Sequence, residues 1–273
     1  MNIEIDNIID ISLKAGGAIM DIYKKDFSVA YKNDNSPLTE ADKKSNDIIC
    51  SRLKEAYPEI PIISEENKEI PYETRKNWEY YWLIDPLDGT KEFIKENGEF
   101  TVNIAMIKKN GPIMGVIYAP ALNLLYYAEE AKGAFKIDDK GQTYRLPLYS
   151  KKSDKLVRVV SSKSHSNAET ENFINNLRKH YKNVELLSKG SSLKICLVAE
   201  GIADIYPRLG PTMEWDIAAG DIIASEAGKQ LYKYENGKIK DNFGYNKENL
   251  LNSWFLVKDK DLTMQNLVKP HTI

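Results

Sequence analysis

The stretch Trp82-Leu83-Ile84-Asp85-Pro86-Leu87-Asp88-Gly89-Thr90 decides how the rest of the chain is read. Apolar residues from Tyr80 to Ile84 make a strand, and two carboxylates three apart, Asp85 and Asp88, follow at its end. Pro86 holds the backbone off a helix, Gly89 permits close approach of a ligand, and Thr90 is a residue type that caps the short helix expected next. Acidic groups beside a helix N-terminus form a place where metal cations and a phosphate meet. Asp, Pro and Gly are also ordinary turn residues, so this stretch alone can be read as an acidic turn after a strand.

Other segments extend the pattern. Glu65-Glu66 follows Ile60-Pro61-Ile62-Ile63, again where a strand gives out. Trp215-Asp216 opens a helix running from Ile217 towards Ala227 and stopped by Gly228; alone, Asp216 reads as its N-cap. Thr39-Glu40-Ala41-Asp42 begins a helix carrying Ile48, Ile49 and Leu53, and alone reads as a variant capping box. Glu65, Asp85, Asp88 and Asp216 bring four negative charges without a His or Cys cluster. Such hard oxygen donors suit Mg²⁺ or Mn²⁺ rather than zinc. Two divalent ions would neutralise them and leave positive field for a phosphate. With three histidines and no Ser–His or Cys–His pairing, water is the expected nucleophile. The aspartyl-phosphate loop of haloacid-dehalogenase phosphatases places its aspartates two apart; here they are three apart, with Pro86 and Leu87 between.

In this order, from Pro37-Leu38-Thr39-Glu40-Ala41-Asp42 to Trp215-Asp216-Ile217-Ala218-Ala219-Gly220, the chain resembles the inositol monophosphatase superfamily of metal-dependent, lithium-sensitive phosphatases. The continuation Lys91-Glu92-Phe93-Ile94-Lys95-Glu96-Asn97-Gly98-Glu99-Phe100-Thr101-Val102-Asn103-Ile104-Ala105 is similar to its 3'(2'),5'-bisphosphate nucleotidase (CysQ) branch. Inositol monophosphatases instead follow Asp-Gly-Thr with a pattern containing Asn-Phe, a His and a Pro. The resemblance implies a layered αβαβα sandwich, mixing α+β and α/β character, of the inositol monophosphatase and fructose-1,6-bisphosphatase type. It implies hydrolysis of adenosine 3',5'-bisphosphate to AMP and phosphate, with 3'-phosphoadenylyl sulfate as a further candidate substrate.

By the same resemblance, Glu65, Asp85 and the Leu87 carbonyl hold a first metal, and Asp85, Asp88 and Asp216 a second. The cofactor is then two or three Mg²⁺, replaceable by Mn²⁺. Asp42 with Thr90, near Glu65, activates the water. The phosphate rests on backbone N–H groups around Gly89 and Thr90. His165, Ser192, Lys194 and Arg208 surround the adenosine and its second phosphate. Gly190-Ser191-Ser192-Leu193-Lys194 can bind an anion before an apolar helix, although alone it reads as a glycine turn, a serine N-cap and a surface lysine. Lys229 departs from a glycine common in the family. The competing functions are inositol monophosphatase activity and a non-catalytic nucleotide sensor; the latter has no use for Asp42, Glu65 and Thr90.

Composition sets the remaining expectations. The 273 residues carry a net charge of −2, which gives no electrostatic case for nucleic acid; the partner that the resemblance implies is a small-molecule nucleotide bisphosphate. Cys50 and Cys196 read as small core residues. The N-terminus lacks a signal-peptide pattern, and no apolar run approaches the ~20 residues of a membrane span. A cytoplasmic monomer is expected, with peripheral membrane association left open. Residues 1–150 read as two helices on a mainly antiparallel sheet, with Ala15-Gly16-Gly17-Ala18 letting the helices pack closely. Residues 151–273 alternate strand and helix as an α/β half.

Overall fold

A computed structural model describes residues 3–25, 29–31, 37–150, 155–162, 167–241, 243–260 and 262. Helices α1 (Ile5–Tyr23) and α2 (Glu40–Ala56), separated by the antiparallel pair β1 (Val29–Tyr31) and β2 (Pro37–Thr39), lie on one face of a seven-stranded sheet. That sheet runs in chain order: β3 (Ile62–Ser64), β4 (Tyr80–Asp88), β5 (Thr101–Lys108), β6 (Gly111–Ala119), β7 (Leu124–Glu129), β8 (Gly133–Ile137) and β9 (Thr143–Arg145). β3 pairs parallel to β4 and every later pair is antiparallel. Two short helices, α3 (Tyr72–Arg75) and α4 (Thr90–Ile94), flank β4.

The second sheet comprises β10 (Leu156–Ser161), β11 (Asn183–Ser188), β12 (Ile205–Arg208), β13 (Lys229–Glu235), β14 (Lys238–Lys240) and β15 (Phe255–Asp259), in the order β11-β10-β12-β15-β13-β14. Its first three strands are parallel, and the others join antiparallel. Helix α5 (Ala168–His180) covers its outer face through Phe173, Ile174 and Leu177. Between the two sheets lie α6 (Leu193–Glu200) and α7 (Glu214–Glu226). The layers therefore run αβαβα.

Period-two side-chain alternation explains why the first sheet is covered on both faces. In β4, Trp82 and Ile84 join Ile8, Ile11 and Ile49 beneath α1 and α2. Tyr81 and Leu83 join Ile195, Ile223 and Phe255 on the opposite side. Truncating a fully buried member such as Ile223 to Ala would cost about 2–5 kcal/mol. Helix α7 sits on β6 at Gly115, where an added Cβ would lie 2.6 Å from the Ile222 side chain and 2.8 Å from the Ala219 backbone.

Several local expectations need correction. Gly16 makes room for a strand residue rather than a helix: a Cβ there would fall 2.3 Å from the Tyr118 ring, and Gly17 faces open space. β4 does not stop at Ile84 but continues to Asp88, with its register against β5 shifting between Asp85 and Asp88. α7 starts at Glu214 with Met213 as N-cap, so Asp216 is the third helical residue and not the cap. The second half is a mixed sheet, because β13 to β15 add antiparallel strands that the alternation did not foreshadow. His165 and residues 151–154 lie outside the described residues. Among the described residues no helix is long and apolar enough to cross a membrane.

Candidate active site

Three backbone devices bring the acidic groups together. The Ser64–Asn67 turn, closed by Asn67 N–H to Ser64 C=O at 3.1 Å, presents Glu65 directly after β3. Because β3 is parallel to β4 with Ser64 opposite Ile84, Glu65 emerges beside Asp85. From the interlayer helix, Asp216 accepts the Met213 N–H at 2.9 Å, which fixes its carboxylate at the start of α7. Ligand oxygens of Glu65, Asp85 and Asp216 all lie within 4.8 Å of one another. Burial, then the charges of Glu65, Asp88 and Asp216, push the Asp85 carboxyl well above the usual carboxylate range. Asp216 is raised by burial, Asp88 and Glu65, while the Met213 N–H and Arg208 oppose the shift. Carboxylates crowded this closely in a desolvated place are unfavourable without a cation, and an all-oxygen donor set matches a hard divalent ion. The residues present fit a metal.

Asp88 lies outside that 4.8 Å group. Its Oδ2 accepts hydrogen bonds from Ser191 Oγ at 2.6 Å and Ser192 Oγ at 2.8 Å. Asn103 Nδ2 donates to Ser192 Oγ at 2.8 Å, and the Thr101 and Ser191 hydroxyls are 2.5 Å apart. The loop before α6 is thus bonded to the acidic end of β4 across the two sheets. The Leu87 N–H donates to Asp85 Oδ1 at 3.1 Å.

Gly89, at φ +93°, caps α4, so Thr90 is the first helical residue and its hydroxyl is not used as a cap. Instead, Thr90 Oγ1 donates to Asp42 Oδ1 at 3.2 Å and lies 3.4 Å from the Leu87 carbonyl. Asp42 Oδ2 accepts from Thr39 N–H at 2.7 Å and Thr39 Oγ1 at 2.6 Å. The capping box at Thr39 therefore exists, and the same carboxylate also turns its second oxygen to Thr90. Burial raises the Asp42 pKa, opposed by the hydrogen bonds from Thr39 and Thr90.

A cavity of about 270 Å³ is lined by Glu65, Asp85, Leu87, Asp88, Gly89, Thr90, Ser191, Ser192, Lys194, Tyr206, Arg208, Thr212 and Asp216, among others. Lys194 is not a surface lysine: it is buried, donates to the Ser191 carbonyl at 2.6 Å and stands 5.5 Å over the Tyr206 ring. Burial lowers its pKa to about 8, partly offset by Asp88. Arg208 Nη2 donates to the Pro211 carbonyl at 2.9 Å, and its buried Nε has no hydrogen-bond partner. Gly190 is not among the lining residues; its N–H donates to Glu99 Oε2 at 2.8 Å, and a Cβ there would meet Glu92 Cγ at 2.7 Å. Lys229 opens β13 and bonds Asp259 at 2.5 Å. Sequence reading passed over Ser191 as a functional residue; its φ of +53° aims a hydroxyl at Asp88, a geometry without a sequence signature.

The fold is shared with known proteins. The 3'(2'),5'-bisphosphate nucleotidase CysQ of Escherichia coli strain K12 is 43% identical over 93% of this chain and 98% of its own length. The crystal structure of CysQ from Bacteroides thetaiotaomicron, a bacterial member of the inositol monophosphatase family, superposes with a TM-score of 0.81 at 46% identity, covering 93% of this chain and 96% of that one. The Thermotoga maritima IMPase TM1415 gives a TM-score of 0.73 at 26% identity, covering 93% and 91% of the two chains. With the sequence model of the inositol monophosphatase family matching residues 4–270, the chain belongs to that family.

Proposed function

We propose that this chain hydrolyses the 3'-phosphate of adenosine 3',5'-bisphosphate to give AMP and phosphate, and accepts 3'-phosphoadenylyl sulfate by the same chemistry. The observation that carries the reading is one cavity lined by groups of both charges. A carboxylate cluster suited to cations lines it together with the cations Lys194 and Arg208. A substrate with two phosphates matches both, and the relatives that share 43–46% of the sequence are CysQ proteins.

Glu65, Asp85, the Leu87 carbonyl, Asp88 and Asp216 would hold two divalent ions, Mg²⁺ by the hardness of the donors. When bound, such ions lower the pKa of water and neutralise phosphate charge. Thr90, with its proton directed to Asp42, offers an oxygen lone pair to the attacking water, and Asp42 receives the proton passed through that hydroxyl. A new P–O bond forms from the water oxygen as the bond from phosphorus to the 3'-oxygen breaks, and the departing 3'-oxygen takes up a proton. Lys194 and Arg208 neutralise the uncleaved phosphate and orient the nucleotide.

Phosphate release from adenosine 3',5'-bisphosphate and from inositol 1-phosphate tests the reading. Wild type is expected to prefer the bisphosphate, with no turnover in EDTA. Arg208→Ala should lose roughly ten- to a hundred-fold in kcat/KM for the bisphosphate, the effect of one charge-assisted contact, and less for the monophosphate. Equal or better use of inositol 1-phosphate by wild type would overturn the substrate assignment, and full activity in EDTA would overturn the metal assignment.

A further inference from the structure

Helix α2 buries a polar stripe where a core-facing helix ordinarily carries apolar residues. Asp42, Ser45, Asn46 and Cys50 are all buried, at the spacing of one helix face. Burying polar groups is unfavourable unless each is hydrogen-bonded, and here the bonds lead to the segments that bear the acidic cluster. Ser45 Oγ donates to the Pro86 carbonyl at 2.7 Å, next to Asp85. Asn46 Oδ1 accepts from Ser64 Oγ at 2.7 Å, and its Nδ2 donates to Asn67 Oδ1 at 2.9 Å. Ser64 and Asn67 are the two ends of the turn whose middle is Glu65-Glu66. Cys50 completes the ring, its Sγ donating to Asn46 Oδ1 at 3.3 Å and accepting from Asn67 Nδ2 at 3.5 Å.

We propose that Ser45 and Asn46 are positioning residues for the metal site: from behind, they fix the spacing between the turn carrying Glu65 and the strand end carrying Asp85. This rests on the metal reading given above. Neither residue lines the cavity, so each acts only through the loops it holds. Those loops need external support. β3 has three residues and stands at the end of the sheet order, and Pro86 falls where the pairing of β4 with β5 is irregular. Asn46 is suited to its place because one side chain both accepts from one end of the turn and donates to the other. The helix that supplies Asp42 thereby also sets the separation of two carboxylates that it does not carry.

Calorimetric titration of EDTA-stripped, dialysed protein with Mn²⁺ tests this without substrate. Asn46→Ala and Ser45→Ala should each weaken Mn²⁺ binding about ten- to a hundred-fold, the usual effect of losing an outer-shell partner. The Mg²⁺ concentration for half-maximal bisphosphate hydrolysis should rise in parallel, with little change in KM for the nucleotide. Ser12→Ala, which removes a buried hydroxyl bonded to the Ile9 carbonyl at 2.8 Å on α1, is the control and should leave Mn²⁺ binding unchanged. Ser45→Ala removes one oxygen and carries the test if Asn46→Ala does not fold. Mn²⁺ binding equal to wild type in the folded variants, with only a lower melting temperature, would reduce both residues to structural ones and overturn the proposal. A wild type that binds Mn²⁺ but cleaves no bisphosphate would refute the nucleotidase reading and leave the positioning result to stand on the titration; one that binds no Mn²⁺ overturns both.

Discussion

Replacing Lys194 by methionine should make the protein more stable and less active at once. The ammonium is buried beside Tyr206 and its pKa falls from 10.5 to about 8, chiefly through desolvation. A depression of roughly 2.5 units corresponds to about 3 kcal/mol, at about 1.4 kcal/mol per unit, by which the charged form disfavours folding at pH 7. The folded pKa lies below the unfolded one, so the unfolded chain binds the proton more tightly between about pH 8 and 10.5. Wild-type stability should therefore rise with pH across that window and carry the full penalty below it. Methionine has similar length and no charge; it forfeits the hydrogen bond to the Ser191 carbonyl, worth about 1 kcal/mol, leaving a net gain of about 2 kcal/mol at pH 7. Urea denaturation in EDTA at pH 7 and at pH 9.5 measures this, the advantage shrinking at the higher pH. In parallel, kcat/KM for the bisphosphate should fall roughly ten- to a hundred-fold. Wild-type kcat/KM should decline above about pH 8 as the amine loses its proton, a limb that the variant lacks. A variant less stable than wild type at pH 7, or one that keeps the same alkaline limb, would refute the reasoning.

Two further outcomes are expected. Asp42→Asn and Thr90→Ala should each lower kcat on the order of 10²-fold or more in single-turnover assays with modest change in KM, and wild-type turnover in either would remove that residue from proton transfer. Asp221 accepts the Tyr245 hydroxyl at 2.7 Å and is pushed up to about 6 by burial. Its folded pKa exceeds the unfolded value of 3.8, so its contribution to stability is fully present below that value and is lost as pH rises towards about 6. Asp221→Asn should flatten this slope and gain at most about 3 kcal/mol at pH 7, less because the side chain is only half-buried and partly screened; equal slopes in denaturation series from pH 4 to 7 would refute it.

Much of the site was legible because acidic residues at strand ends have few structural uses in such numbers. Asp42 shows why single-residue reading stalls: the capping box and the bond to Thr90 use different oxygens of one carboxylate, so both readings hold. What sequence left open depended on contacts between distant segments. Lys194 follows a polar loop and looks solvated, yet the packing of α6 between two sheets buries it. Ser191 and Ser192 are equivalent on paper, and only the backbone turn at Ser191 brings both hydroxyls to Asp88. The Gly16–Tyr118 contact joins positions about a hundred apart, which local periodicity does not report. The strands after α7 were missed because Tyr232, Phe255 and Leu256 sit in short runs broken by lysines and asparagines.

The seating of α7 against Gly115 has a consequence for how the polypeptide is made. The first sheet is complete in the chain at Arg145, but the helix that closes its inner face ends only at Glu226. On a ribosome that interval of about eighty residues lasts roughly 4–16 s at 5–20 residues per second. Until α7 emerges, Tyr81, Leu83, Ala105 and Ile117 lack the helix that packs against their strands. The nascent chain therefore presents an apolar sheet face to solvent or to a chaperone before Asp216 emerges to join Glu65 and Asp85. Maturation of the acidic cluster and concealment of the sticky surface are one late event, carried out by the same thirteen residues.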